Sequence, residues 1–308
     1  MKRSLFFTLI FINIVVAGLN FPIGKMGLAF SSPFLLLSIR FLMAFLIMLP
    51  FIIQFPHPKQ LLPWIKIAII GLFQSTLVLG MVYFSMRTIT SGNASILSST
   101  NPIWLVIIQF LLLGIRYRRL QWAGVVLGFI GVVLTQGIHL QFESGAISAL
   151  LAGIFWAIAT LLIKHWGKTL NIWVLTTYQM GFGGIFLLIA SIVLEQPTLN
   201  FHAVPLSQLI FVLFYMIIMS SVVQFVTWFY LIGHNDPARV SSFLFLVPLV
   251  GTIGGWLLLD EVLHWYIGLG AIFIGLGIYL VNQPIKKQTT TFESPSFSSS
   301  NPSSTSSS

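Results

Sequence analysis

The chain has 308 residues, of which 57% are hydrophobic and 7% charged, with a net charge of +9 and no cysteine. Soluble domains carry about 25% charged residues, so this composition excludes a soluble globular protein and indicates an integral membrane protein. The missing cysteines exclude disulfides and thiolate metal sites. The positive charge lies in short segments between apolar runs and forms no basic face, so we expect no nucleic-acid partner.

Apolar runs of helix length follow one another along almost the whole chain. A membrane span needs about 20 mostly apolar residues, and these runs are too uniformly apolar for barrel strands. The first run follows Lys2 and Arg3 but lacks a small-residue cleavage site, so we expect an uncleaved first helix. The ten predicted spans cover residues 5–24, 33–54, 63–85, 91–113, 120–138, 143–163, 171–194, 207–231, 239–259 and 263–283.

Basic residues collect at alternate ends of these runs, which tests the span count. If the N-terminus is cytoplasmic, only Lys25 and Arg87 lie at span ends on the outer side of the membrane. The cytoplasmic ends would hold Lys2, Arg3, Lys59, Lys66, Arg116, Arg118, Arg119, Lys164, Lys168, Arg239, Lys286 and Lys287. This bias predicts a multi-pass protein of the cell membrane, the inner membrane in a bacterium, with both termini cytoplasmic.

The same pattern occurs twice, around Pro102 and around Pro248, each within an apolar run. A proline there frees the carbonyl four residues earlier, which lipid cannot satisfy. The repeat extends to the first spans of each half, where Lys25 matches Lys164. Because five spans is an odd number, the second half must enter the membrane in the opposite sense. We therefore predict an all-α membrane protein of ten helices in a five-plus-five inverted repeat, with halves at 1–139 and 140–284 and a disordered Ser-rich tail at 285–308.

Several motifs together resemble the EamA-type branch of the drug/metabolite transporter superfamily. They are A-x7-P before an apolar run, Leu257 to Glu261 before glycines in the last span, and Asn20 and Trp156 in the first spans of the halves. The chain departs from the family pattern at Ile115, where an acid commonly ends the fourth span. The resemblance implies a secondary transporter with a cavity between spans one, three, four, six, eight and nine.

Polar and aromatic side chains at mid-span depth are the candidate substrate ligands, because such groups are unfavourable against lipid. They could line a neutral central pocket, or they could only bond neighbouring helices to one another. The candidates are Asn20, Gln74, Tyr83, Asn101, Pro102, Trp156, Gln224, Trp228 and Pro248.

Three charged residues are candidates for gating or ion pairing. Arg40 lies well inside the second span, where it could bind a carboxylate, pair structurally or extend to the surface. Asp260 and Glu261 end the ninth span, where they could form an outer gate or a solvated turn. No carboxylate is expected at mid-membrane, which leaves facilitated exchange open.

Glycine stripes on spans five and ten, at Gly124, Gly128, Gly131, Gly268 and Gly275, favour close packing within the chain or across a homodimer. Histidines at non-ligand spacing and short loops argue against an enzyme, a bound metal and a cofactor. We expect an exporter of a small metabolite such as an amino acid. A drug or nucleoside-like solute, or a non-transporting receptor, is the alternative.

Overall fold

Helices form nearly all of the computed structural model, which describes residues 3–89, 91–115, 117–135, 144–259 and 265–282. Asp260, Glu261 and the tail 285–308 lie outside the described residues. Seven described helices are long and apolar enough to cross a membrane, and three shorter apolar helices accompany them. The chain is therefore an all-helical, multi-pass membrane protein.

We number the helices in chain order. They are α1 (Arg3–Gly27), α2 (Pro33–Ile52), α3 (Leu61–Ser85), α4 (Ser91–Ser98), α5 (Asn101–Leu113), α6 (Arg119–Leu134), α7 (Ser144–Thr169), α8 (Ile172–Leu194), α9 (Leu206–His234), α10 (Pro237–Leu258) and α11 (Tyr266–Val281).

The two prolines begin helical segments instead of bending continuous helices. Pro102 is the second residue of α5, which follows a turn at Ser99 and Thr100 that separates it from α4. Pro248 follows a 3-10 turn over Phe243–Leu246 inside α10. A proline fits the first turn of a helix because the missing N–H would have no intrahelical partner there. The helix is thus interrupted just before each of the two prolines, and both prolines are buried.

Helices α3 and α9 share a second irregularity. Each contains a stretch of wide, π-type turns, at Leu72–Leu79 in α3 and Tyr215–Val223 in α9. Such turns leave the regular i→i−4 pattern and are frequent at functional sites. The stretches contain Gln74 and Ser75 in one half and Ser220 and Ser221 in the other, all buried.

Four kinds of helix contact build the bundle. Helix α6 packs on α11, and α2 packs on α8. Helix α1 packs against α9 and α10, while α7 packs in the same way against α3 and α5. The α6–α11 contact uses glycine, because a Cβ on Gly131 would come 2.7 Å from the carbonyl oxygen of Gly270. The largest apolar cluster contains side chains of α1, α2, α3, α7, α8, α9 and α10, while α6 and α11 pack around a second cluster that includes Val125, Val132 and Ile274.

Candidate functional site

Arg40 is the centre of a buried polar cluster between α1, α2 and α9. Its side chain is 1% exposed. Nε donates to Ser221 Oγ at 2.7 Å, one terminal nitrogen donates to Asn20 Oδ1 at 3.0 Å, and the other donates to Ser220 Oγ at 3.0 Å and to the Ser220 carbonyl. The guanidinium also lies 4.9 Å from the ring centre of Phe41. Arg40 therefore does not extend to the membrane surface.

Asn20 gathers further donors into the same cluster. Besides Arg40, its Oδ1 lies 3.2 Å from the Tyr83 hydroxyl and 2.8 Å from Ser220 Oγ. The Ser220 hydroxyl also lies 3.1 Å from Gln224 Oε1 and can donate to one of the two oxygens at a time. The structure thus brings together the candidates Asn20, Arg40, Tyr83 and Gln224.

Several other candidates lie on segments that pack near Trp156 on α7. The rings of Trp156 and Trp228 lie 6.1 Å apart in an edge contact. One turn before Trp156, Gly153 lets α7 approach the break before Pro102, because a Cβ there would come 2.5 Å from Thr100 Oγ1 and 3.4 Å from the Asn101 amide nitrogen. Next to Trp156, Phe155 lies 5.9 Å from Phe73, the neighbour of Gln74. Spans from both halves therefore converge at this point.

Four of these residues carry buried polar atoms without a hydrogen-bond partner in the described protein. They are Gln74 Oε1, both side-chain polar atoms of Asn101, and the indole nitrogens of Trp156 and Trp228. A buried polar group without a partner costs about 1–3 kcal/mol in protein mutational data. Groups that stay in this condition need a bound molecule or water to satisfy them. Four candidates from separate helices thus have unused bonding capacity.

Sequence reasoning missed Gln179 on α8, which is fully buried. Its Oε1 accepts from Ser75 Oγ at 2.9 Å, and its Nε2 has no partner in the described protein. Gln179 follows Arg40 at the same distance in sequence as Lys164 follows Lys25. Applying the repeat offset to Arg40 would have found it.

Sequence reasoning also missed the role of Glu195, which directly follows the last residue of α8. Its Oε1 accepts from the backbone N–H groups of Phe34 and Leu35, at 3.1 Å each, and from Ser191 Oγ at 2.9 Å. The carboxylate thereby caps the first turn of α2, where the side chain of Ser32 makes no cap bond. A crevice of about 670 Å³ lies beside it, lined by Ser31, Arg87, Glu195 and Thr198 among others.

Arg40 forms no ion pair with an acidic residue in the described part of the chain. Only Glu195 and Asp236 are described carboxylates. Glu195 caps α2, and Asp236 caps α10 by accepting from the Arg239 N–H at 3.0 Å. Asp260 and Glu261, the candidates for an outer gate, lie outside the described residues.

Known proteins with similar sequences indicate the family of the chain. Similar proteins include the uncharacterized transporter YvbV of Bacillus subtilis (strain 168), 27% identical over 89% of this chain and 90% of the relative. The uncharacterized inner membrane transporter YedA of Escherichia coli (strain K12) is 27% identical over 89% of this chain and 92% of the relative. A chloroplastic WAT1-related protein of Arabidopsis thaliana is 26% identical over 84% of this chain and 65% of the relative.

A solved structure described as "Crystal structure of protein" superposes with a TM-score of 0.74 and 17% identity, over 91% of this chain and 97% of that chain. At that identity the likeness shows the fold alone. The model of the EamA-like transporter family matches residues 5–136 and again residues 143–283. Since these two segments cover most of the sequence, the chain belongs to the EamA-like transporter family.

Proposed function

We propose that the chain is a secondary transporter that exports a small organic metabolite, such as an amino acid, by alternating access. The supporting observation is the set of unpartnered polar atoms on Gln74, Asn101, Trp156 and Trp228. Amide and indole groups can bond a small polar solute, and the Trp156 and Trp228 rings offer apolar faces beside them. A solute bound there would contact helices of both halves.

The framework we propose is ten spans in two oppositely inserted halves. Two matches to one family model support the duplication. The helix contacts support a two-fold relation between the halves, because exchanging the halves converts the α1–α10 contact into α7–α5 and leaves α6–α11 and α2–α8 paired. The inversion follows from the odd number of five spans proposed for each half. Arg239, which follows α9, lies 5.4 Å from the Phe6 ring and bonds Asn282 at 2.9 Å, so both ends of the described chain lie at one end of the bundle. An even number of crossings, with both termini cytoplasmic, fits this arrangement.

Liposomes containing the purified protein and labelled solutes test transport. We expect Trp156→Ala and Gln74→Ala to slow the flux of the transported solute at least about tenfold, since each removes a contact of the bound solute. The matched controls are Trp256→Ala and Gln54→Ala, which change exposed residues of the same types. Absence of flux for every solute, with tight binding retained, would favour a receptor instead.

Flux of nucleosides or hydrophobic drugs in place of amino acids would select the alternative substrate class. Oriented vesicles test export, because an exporter in its cellular orientation should release the solute through the outer side.

A homodimer through the glycine-striped helices also stays a proposal, which cross-linking in the membrane would test.

A further inference from the structure

Arg40 is a cation inside the membrane region that, among the described residues, bonds only neutral groups. Its hydrogen-bond acceptors in the described protein are an amide oxygen, two hydroxyls and one backbone carbonyl. Neutral acceptors satisfy the N–H groups but leave the net charge in place. A buried charge without a counter-charge is unfavourable, more so where lipid surrounds the protein. Both described carboxylates are committed to helix N-termini elsewhere.

The repeat supplies an internal control for what this position needs structurally. Arg40 on α2 bonds Ser221 in the π-type stretch of α9, and Gln179 on α8 bonds Ser75 in the π-type stretch of α3. Ser221 follows Ser75 at the same distance in sequence as Pro248 follows Pro102, so the two contacts are repeat mates. A neutral glutamine therefore suffices to tie the helices together. The positive charge of Arg40 is not required by that contact.

The donors around Asn20 resemble an anion site in composition. Arg40 donates to Asn20 Oδ1 at 3.0 Å, and the hydroxyl oxygens of Tyr83 and Ser220 lie within hydrogen-bond distance of the same oxygen, at 3.2 and 2.8 Å. A carboxylate or phosphate oxygen accepts such bonds more strongly than an amide oxygen does. The cluster also leads toward the candidate site, because Ser220 reaches Gln224, which is partly exposed and lies one helical turn before Trp228.

We propose that Arg40 is the counter-charge for an anionic oxygen group, a carboxylate or phosphate, of the transported metabolite, which replaces Asn20 as the acceptor of these donors. This inference rests on the proposed transport function. It narrows the substrate to molecules with an anionic end and makes Arg40 a specificity-determining residue. It also assigns Asn20 the role of holding the donors together when no anion is bound.

Three variants separate the charge from the helix contact. Arg40→Gln introduces the residue of its repeat mate, Arg40→Lys keeps the charge, and Asn20→Asp gives Arg40 a permanent counter-charge. Flux into liposomes is measured for the twenty standard amino acids, for the amides of those transported, and for inorganic phosphate. Thermal unfolding of each purified variant is followed with and without the same compounds. Gln179→Ala is the matched control, because it removes the equivalent contact without changing charge.

We expect the wild type to discriminate against the amides, which lack the carboxylate. Arg40→Gln should fold and lose about tenfold or more of the anion flux, as expected for the loss of a charge-assisted contact. Arg40→Lys should retain part of it. Asn20→Asp should unfold at a higher temperature than the wild type yet lose anion flux, because its own carboxylate occupies the site. Gln179→Ala should keep the discrimination between acid and amide.

Equal transport of an acid and its amide by the wild type would overturn the proposal, as would unchanged anion flux in Arg40→Gln or Asn20→Asp. Flux of phosphate alone would support it with a phosphate as the anionic group. If the wild type transports none of these compounds, the proposed function fails. The thermal unfolding measurements then test separately whether Arg40 binds an anion. Stabilisation by amino acids or phosphate that disappears in Arg40→Gln would support the anion site, and absence of any such stabilisation would overturn it.

Discussion

Lys164 occupies a position where its charge stabilises a helix end. Its Nζ donates to the carbonyls of Ile232, Gly233 and Asn235, at 3.1, 3.2 and 2.6 Å, just where α9 ends. The last carbonyls of a helix lack intrahelical partners and carry partial negative charge, so a cation there is favourable. Its repeat mate Lys25 is exposed. The pair shows that a matched residue in the two halves need not have a matched role.

Lys164→Met should therefore lower the free energy of unfolding by ~1–2 kcal/mol, because three carbonyls lose a charged donor. Reversible unfolding in a denaturing detergent measures the change. Lys25→Met, which removes the same charge from an exposed site, is the control and should leave stability nearly unchanged. A similar loss in both variants would contradict a capping role for Lys164.

The glycines of α6 and α11 set how closely these helices approach. A Cβ on Gly124 would come 2.8 Å from the carbonyl oxygen of Gly277, and one on Gly131 would come 2.7 Å from that of Gly270. Gly268 and Gly275 instead have no atom within 4 Å of an added Cβ in the described protein. The stripe predicted on α6 packs inside the chain, whereas Gly270 and Gly277, not the predicted Gly268 and Gly275, meet it on α11.

Gly131→Val should destabilise the protein by about 1–3 kcal/mol or prevent its accumulation, because backbone atoms of α11 cannot move aside without separating the helices. Membrane expression and thermal unfolding measure this. Gly275→Val is the matched substitution on the facing helix and should be tolerated in the monomer. A change of oligomeric state in Gly275→Val, with unfolding unchanged, would point to a dimer through that face.

Glu195 connects α8 to α2 and so joins the two halves at one end of the bundle. Glu195→Ala should free the Phe34 and Leu35 N–H groups and loosen the start of α2. Because the chain has no cysteine, Ser31→Cys can report on the adjacent crevice without background. We expect faster maleimide labelling of that cysteine when Glu195→Ala is added. Glu195→Gln retains an acceptor and should have the smaller effect, so equal rates in all backgrounds would remove the capping role.

The sequence identified the membrane class, the helical runs and the proline pair, because hydropathy and proline act locally. It could not give the break before Pro102 or the π-type turns that present Ser75 and Ser221, since these depend on packing between helices distant in the chain. Arg40 was recognised as unusual from its depth alone. Its neutral partners became evident only once α9 was placed beside α2, because no local pattern around Ser220 marks it as a partner for a cation.

At the scale of the whole molecule, the two halves make equivalent helix contacts but carry different charges at equivalent positions. The α2–α8 pair lies between the halves, and each member reaches the π-type stretch of the other half. One of these links carries the charge of Arg40 and the other carries the neutral Gln179. If the halves rock about this pair, the two links would respond differently to an anionic solute. Alternating access in such a bundle depends on the halves being inserted in opposite senses.

Cysteine labelling tests that opposite insertion directly. Lys25→Cys and Lys168→Cys place single, exposed thiols in the last residues of α1 and α7, the first helix of each half. If the halves are inverted and the N-terminus is cytoplasmic, a membrane-impermeant maleimide should label Lys25→Cys in intact cells, and Lys168→Cys only after the membrane is permeabilised. Lys59→Cys, between α2 and α3, should behave like Lys168→Cys because the positive-inside bias places both in the cytoplasm. Labelling of Lys25→Cys and Lys168→Cys from the same side would rule out an inverted repeat and, with it, the exchange of access between the two halves.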